Sequence, residues 1–224
     1  MIAIDPRGYF ITGSDTGVGK TYIACEIVRQ LVKNNIDVET RKPAESGCEI
    51  NDQGELLTAD AQALRLANNN RESIDRIVAC RFRAALAPHR AARLEGSELY
   101  LERLLRACSL DNPAACLVVE GAGGFYSPIA EDGLNADLAT ALHLAVIIVV
   151  DDRIGAVNQA LMSIQAVESR QLCIAVIILN QVAKEQIADM DNTTDLREHC
   201  DYPVIRCLHG ATLPKLFEQR HADF

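Results

Sequence analysis

Tyr9-Phe10-Ile11-Thr12-Gly13-Ser14-Asp15-Thr16-Gly17-Val18-Gly19-Lys20-Thr21 joins an apolar strand to a helix through a turn rich in glycine. Gly13, Gly17 and Gly19 can take left-handed backbone conformations and let the main chain approach a bulky anion closely. The N–H groups of the turn, and of the helix that opens at Lys20, then point at that anion. Lys20 adds charge, and the Thr21 hydroxyl can ligate Mg²⁺. That is the build of a cradle for a polyphosphate. Five residues, Ser14 to Val18, separate Gly13 from Gly19, where the common form of such a loop has four. A strand-to-helix turn without a ligand is the alternative, and the flanking strand and helix count against it.

Outward from this stretch, apolar runs and helical patterns alternate. Residues 9–12, 38–41, 116–119, 145–150 and 173–179 are short, β-branched-rich segments of the kind that a sheet buried on both faces requires. Between them Ile23, Ile27 and Leu31 recur every four residues, Leu99, Leu101, Leu104 and Leu105 cluster, and Val157, Leu161, Ile164 and Val167 repeat the helical spacing. The alternation predicts an α/β fold: a mostly parallel sheet with helices on both faces, and ligands at the carboxyl ends of its strands. The 224 residues, 49% of them hydrophobic, suffice for one core, and no linker-like stretch divides them. One domain over residues 1–224 is expected.

Composition narrows the partners. A net charge of −9 offers no field to attract nucleic acid or an anionic membrane surface. Eight arginines fall between Arg71 and Arg106, but Glu72, Asp75, Glu95, Glu98 and Glu102 interleave with them, so a solvated helix face is expected there. The cysteines at 25, 48, 80, 108, 116, 173, 200 and 207 include no Cys-x-x-Cys pair and no metal-ligand spacing. They read as reduced thiols. The longest apolar run, residues 172–179, is too short to span a bilayer, and no charged-then-apolar leader opens the chain. A cytoplasmic location is expected.

Functional residues should sit just past strands. Lys42, in Arg-Lys-Pro-Ala-Glu-Ser-Gly, stands at the carboxyl edge of the second apolar segment, because Pro43 cannot extend a central strand. Glu120 closes the run Leu-Val-Val and leads into Gly-Ala-Gly-Gly, where a nucleotide site needs a carboxylate for Mg²⁺. Each could also be incidental, Lys42 as a surface lysine and Glu120 as part of a structural turn. Asp60, in Leu-Thr-Ala-Asp-Ala, reads by position alone as a first-turn helix residue favoured by the macrodipole.

Taken in order, Gly-Ser-Asp-Thr-Gly-Val-Gly-Lys-Thr, Lys-Pro-Ala-Glu-Ser-Gly, Thr-Ala-Asp-Ala, Ala-Pro-His with Glu-Gly soon after, Val-Glu-Gly-Ala-Gly-Gly and Ile-Gly-Ala-Val-Asn-Gln closely resemble the dethiobiotin synthetases. The resemblance runs from about residue 9 to residue 180, and the five-residue spacer is that family's own variant. It implies a P-loop NTPase-like fold and an ATP- and Mg²⁺-dependent ring closure that turns 7,8-diaminopelargonate and CO₂ into dethiobiotin, ADP and phosphate. By the same resemblance Asp15, Thr16, Gly17, Val18, Gly19, Lys20, Thr21 and Tyr22 surround the triphosphate, and Asn180 reads the adenine. Lys20 and Lys42 are the catalytic cations, and Thr21, Asp60 and Glu120 hold Mg²⁺, which reverses the positional reading of Asp60. Ser46, Glu120, Gly121, Ala122, Gly123 and Gly124 hold the substrate, whose distal carboxylate meets Gly155, Ala156, Val157 and Asn158 of a partner subunit. A homodimer follows from that. Departures lie near the base and the C-terminus, where Ile205-Arg206-Cys207-Leu208-His209 stands in place of the family's Gly-x-Ile-Pro turn and implies weaker discrimination between bases. A partition or maturation ATPase would carry Lys where this chain has Ser14, with a four-residue spacer. A non-catalytic nucleotide-binding relative is the other rival, against which Lys42, Asp60 and Glu120 speak.

Overall fold

The computed structural model describes residues 1–217. Its centre is a six-stranded, wholly parallel sheet of β1 (Gly8–Gly13), β2 (Val38–Arg41), β7 (Cys116–Gly124), β10 (Ala145–Asp151), β11 (Ile174–Asn180) and β12 (Val204–Cys207). The order is β12-β11-β10-β1-β7-β2, so β1 lies inside the sheet and feeds its carboxyl end into the glycine-rich turn. Three short pairs lie outside: β3 (Ala44–Ser46) with β6 (Cys80–Phe82), β4 (Glu49–Ile50) with β5 (Leu56–Leu57), and β8 (Pro128–Ala130) with β9 (Gly133–Leu134).

Alternation of side chains along the strands divides the apolar interior into two. Tyr9, Ile11, Ile147 and Val149 face one side, where α1 (Lys20–Lys33), α2 (Ala59–Ala67) and α3 (Ile74–Ile77) cover them through Ile23, Ile27, Leu31, Leu64 and Ile77. Phe10, Val146, Ile148 and Val150 face the other. There α4 (Pro88–Leu94), α5 (Leu101–Ala107), α6 (Asn135–Leu142), α7 (Ala156–Ser169) and α8 (Asn192–Arg197) close the layer. At the start of β1, Gly8 has φ +117° and approaches β7 so closely that a Cβ would stand 1.8 Å from the Leu117 carbonyl oxygen. Only glycine fits there.

The architecture agrees with the α/β expectation, with four local differences. Strand β7 does not end at Glu120: Gly124 still pairs with Gly13, after a register shift between Ile11 and Gly13, and the small residues 121–124, three of them glycine, let the two chains stay close. Glu120 thus lies within a strand, paired with Ile11. Strand β12 has no counterpart among the apolar segments, because only Val204 and Cys207 of its four residues are buried. Leu99 is fully buried but precedes α5 rather than lying on it. The arginines of residues 71–106 are spread over α3, β6, α4, α5 and the loops between, and several pair with carboxylates: Arg71 with Asp37, Arg76 with Asp111, Arg81 with Asp75, Arg93 with Glu131 and Arg106 with Glu102. None of the eight cysteines is in a disulfide, and among the described residues no helix is long and apolar enough to cross a membrane.

Candidate active site

The carboxyl ends of β1, β2 and β7 converge on a cavity of about 540 Å³. Thr16, Gly17, Gly19, Lys20 and Thr21 line it from the turn, Lys42, Ser46 and Asp60 from the segments after β2, and Glu120, Ala122 and Gly123 from β7. Gly19 has φ +87°, and a Cβ there would stand 2.2 Å from Asn180 Nδ2. Both facts demand glycine, and they let α1 open directly at Lys20 with no side-chain cap.

Lys42 is the centre of the site. Its Nζ donates to Glu120 Oε1 at 2.6 Å and lies 2.9 Å from Asp60 Oδ2. Thr21 Oγ1 donates to the same Glu120 oxygen at 2.8 Å. Two carboxylates far apart in sequence thereby flank one ammonium, and the Thr21 hydroxyl joins the set through Glu120. Lys42 is 5% exposed and Glu120 1%. Burial alone would lower the Lys42 pKa, but the charges of Glu120 and Asp60, with their hydrogen bonds, raise it well above the usual lysine range. Burial lifts Asp60 as well, yet Lys42 and the Thr21 hydrogen bond outweigh it and hold the carboxyl below its ordinary value. Burial pushes Glu120 upward against the pull of Lys42. Two donors on Oε1, one of them cationic, nevertheless make the carboxylate its working form. Lys20 behaves differently: its Nζ donates to the Asp15 carbonyl at 2.9 Å. Burial first, and then the charge of Lys42, bring its pKa down to about 8.

Glu120 Oε2 is buried and has no hydrogen-bond partner among the described residues. A buried carboxylate oxygen left bare is costly. With the Thr21 hydroxyl and the half-exposed Asp60 beside it, the set offers the hard oxygens that Mg²⁺ prefers. These residues fit that ion.

The glycine run after Glu120 is held by Asn135, which is fully buried. Its Nδ2 donates to the carbonyls of Ala122 (2.6 Å) and Gly124 (3.0 Å), and its Oδ1 accepts from the Ala122 N–H at 3.0 Å. Ser127 Oγ accepts from the Gly124 N–H at 2.9 Å. Neither polar residue stood out in the sequence, because their partners are backbone groups. The cavity wall also contains Ala44, Ala85, Leu86, Ala87 and Pro88. Of these, Ala87 and Pro88 belong to the Ala-Pro-His tripeptide already in the ordered motif set.

Other expected residues lie outside that wall. Asp15, Val18, Gly121 and Gly124 adjoin it through the backbone. Tyr22 points its hydroxyl at the Ala211 carbonyl, 2.5 Å away. Asn180 ends β11 and donates from Nδ2 to the Val18 carbonyl at 2.9 Å, which braces the turn from beneath. Beyond it Arg206 Nε pairs with Asp152 at 2.8 Å, and the His209 ring bonds the Val182 carbonyl. Gly155, Ala156, Val157 and Asn158 form the start of α7; Gly155 is left-handed there, and the exposed Asn158 donates to Met162 Sδ.

The chain matches the AAA domain family model over residues 7–214. It is 39% identical over 198 residues to the ATP-dependent dethiobiotin synthetase BioD of Ruthia magnifica subsp. Calyptogena magnifica, covering 88% of this chain and 89% of that one. The enzyme of the same name from Vesicomyosocius okutanii is 44% identical, with 79% of each chain covered. That of Anaeromyxobacter dehalogenans strain 2CP-1 is 43% identical over 80% of this chain and 78% of its own. Among solved structures, the MinC:MinD cell division protein complex of Aquifex aeolicus superposes with a TM-score of 0.50 over 94% of this chain and 83% of that one, at 15% identity, a likeness of fold alone. With these relatives spanning most of its length, the chain belongs to the dethiobiotin synthetase family.

Proposed function

We propose that this chain is an ATP-dependent ligase that closes the ureido ring of dethiobiotin from 7,8-diaminopelargonate and CO₂, as one catalytic domain. The observation that carries the reading is the seat of Lys42 between Asp60 and Glu120, in the same cavity as Lys20 and Thr21 of the phosphate turn. One substrate amine takes up CO₂ with loss of a proton to give a carbamate. The carbamate oxygen attacks the γ-phosphorus, ADP leaves, and a carbamic–phosphoric anhydride forms. The second amine then attacks the carbonyl carbon, loses its proton, and expels phosphate to close the ring.

The main obstacle is charge, since an anionic nucleophile must meet an anionic phosphate. Lys20 at the mouth of α1 and the turn's N–H groups would bind the β- and γ-phosphates. Lys42, held protonated by its two carboxylates, would stand by the transferring group. When bound, Mg²⁺ supplies further neutralisation of the phosphate oxygens, with Thr21, Asp60 and Glu120 as its protein donors. Ser46 and the backbone of residues 121–124, fixed by Asn135, would orient the diamine, while Leu86, Ala87 and Pro88 supply an apolar wall for its chain. Phosphate release that requires both diaminopelargonate and bicarbonate tests the reading; ATP hydrolysis indifferent to either would overturn it.

Residues 155–158 lie away from the cavity of their own chain, and Ile154 and Met162 beside them are 67% and 63% exposed. Both facts support a homodimer in which this turn receives the partner's substrate carboxylate. A Lys20→Ala chain mixed with an Asn158→Ala chain should then regain activity through one intact site per dimer, and no rescue after proven subunit exchange would refute it. Six buried thiols outside any disulfide suit a reducing compartment, so the reading places the enzyme in the cytoplasm, which fractionation checks. With Arg206 and His209 bonded to the protein itself, base discrimination should be weak, and kcat/KM for ATP against GTP measures it.

A further inference from the structure

Helix α2, which carries Asp60, begins without a cap of its own. The Thr58 side chain at its N-cap position caps none of the helix N–H groups, although orphan N–H groups at a buried helix start are costly. The missing acceptor comes from another element. Glu45 Oε1 accepts from the Asp60 N–H at 3.0 Å and Oε2 from the Ala61 N–H at 3.1 Å. Glu45 is 5% exposed and is the middle residue of β3, three positions after Lys42.

For helix stability alone this is an expensive arrangement. A side-chain cap at position 58 would satisfy one of these amides from within the same segment, whereas burial, and to a lesser degree the Asp60 charge, work against the Glu45 carboxylate. What a local cap would not do is tie α2 to the segment that carries Lys42 and Ser46. Through Glu45, the backbone of Asp60 is referenced to β3. The Asp60 side chain meets Lys42 at 2.9 Å, and Lys42 meets Glu120 at 2.6 Å.

We infer that Glu45 is a positioning residue for the reaction: by gripping the Asp60 and Ala61 amides it sets the Asp60 carboxylate against Lys42, and so fixes the Asp60–Glu120 spacing on which metal–nucleotide binding depends. The inference rests on the reading of Thr21, Asp60 and Glu120 as the metal donors. Partners that hold a ligating carboxylate in place typically change metal affinity by ~10–100-fold when removed.

The test is Mn²⁺ binding with a non-hydrolysable ATP analogue, followed by electron paramagnetic resonance of the free ion, so that turnover is not needed. Glu45→Ala should weaken Mn²⁺ binding about tenfold, and Glu45→Gln, which keeps one acceptor oxygen, by less. In an Asp60→Ala background, Glu45→Ala should change the affinity less than about twofold, because a positioning residue has nothing left to position. Unchanged affinity in folded Glu45→Ala, or the same tenfold loss in the Asp60→Ala background, would overturn the inference. If Glu45→Ala fails to fold, Glu45→Gln is read in its place; failure of both to fold would assign Glu45 to the fold and overturn the inference too. The functional reading fails separately, if the wild-type chain binds Mn²⁺ and nucleotide yet releases no phosphate on addition of diaminopelargonate and bicarbonate.

Discussion

Arg41 and Lys42 are consecutive, both buried, and each flanked by two carboxylates, but the two sets differ in how those carboxylates are satisfied. Around Arg41, which is 0% exposed, Glu39 and Glu72 have all four oxygens occupied. Glu39 accepts from Arg41 and from the Asp111 and Asn112 N–H groups, and Glu72 from Arg41, the Thr40 N–H and hydroxyl, and Asn68 Nδ2. Among the described residues the Arg41 Nε and the Asn68 Oδ1 lack partners there, but no carboxylate oxygen does. Around Lys42 one oxygen of Glu120 is bare, and the Asp60 side chain is 35% exposed to the cavity. The first set is closed and stitches edge strand β2 to residues 68–72 and 109–112. The second is open, with donors and acceptors still to be used by a ligand. A buried ion cluster is thus better judged by what it leaves unsatisfied than by the number of its charges.

The contrast can be broken most decisively at Arg41. Removal of one member of a closed, buried ion network leaves two uncompensated carboxylates, so Arg41→Ala should lower unfolding free energy by about 3–5 kcal/mol. Urea unfolding measures this, and a loss under about 1 kcal/mol would show that the network is not structural. Lys42→Ala should do the reverse, leaving a folded chain because removal of the lysine opens Glu120 to water from the cavity that both residues line. Its kcat should fall at least about a hundredfold, near 3 kcal/mol of transition-state stabilisation. Near-normal turnover would remove Lys42 from the chemistry. A smaller effect is expected on the open carboxylates: Asp60→Asn or Glu120→Gln should raise the Mg²⁺ concentration for half-maximal rate about tenfold. An unchanged Mg²⁺ titration would exclude the residue concerned.

The smallest effect is a pH limb from Lys20. Its pKa is lowered to about 8, so the charge proposed to receive the triphosphate is present below that pH and lost above it. kcat/KM for ATP should therefore fall to about half near pH 8 and continue downward, whereas Lys20→Arg should lack the limb. Stability moves the other way. Between about 8 and the ordinary 10.5 the unfolded chain binds more protons at this site than the folded one, so its contribution to stability rises with pH across that window. A kcat/KM that stays flat to pH 9.5 would detach Lys20 from phosphate binding.

Much of this was legible locally. The glycine spacing of residues 13–19 and the apolar segments that became β1, β2, β7, β10 and β11 depend on backbone freedom and on two-sided burial, properties that leave periodic marks in one stretch of chain. Strand β12 left no such mark, because an edge strand buries little and Arg206 could pair sideways with Asp152. Asp60 was the most ambiguous residue: beside a helix start any acid is favoured, and nothing local distinguishes a macrodipole partner from a lysine partner.

By itself the sequence determined the phosphate turn, the alternation of strands and helices, and the kind of ligand that such a turn accepts, because each is written in residues adjacent along the chain. Tertiary structure alone decided which charges meet. Glu120 comes to Lys42 from 78 positions away, Glu72 to Arg41 from 31, and Glu45 to the Asp60 amide from 15. Such contacts depend on strand order and helix placement, which a parallel sheet sets only once the whole chain has packed, so no local pattern announces them.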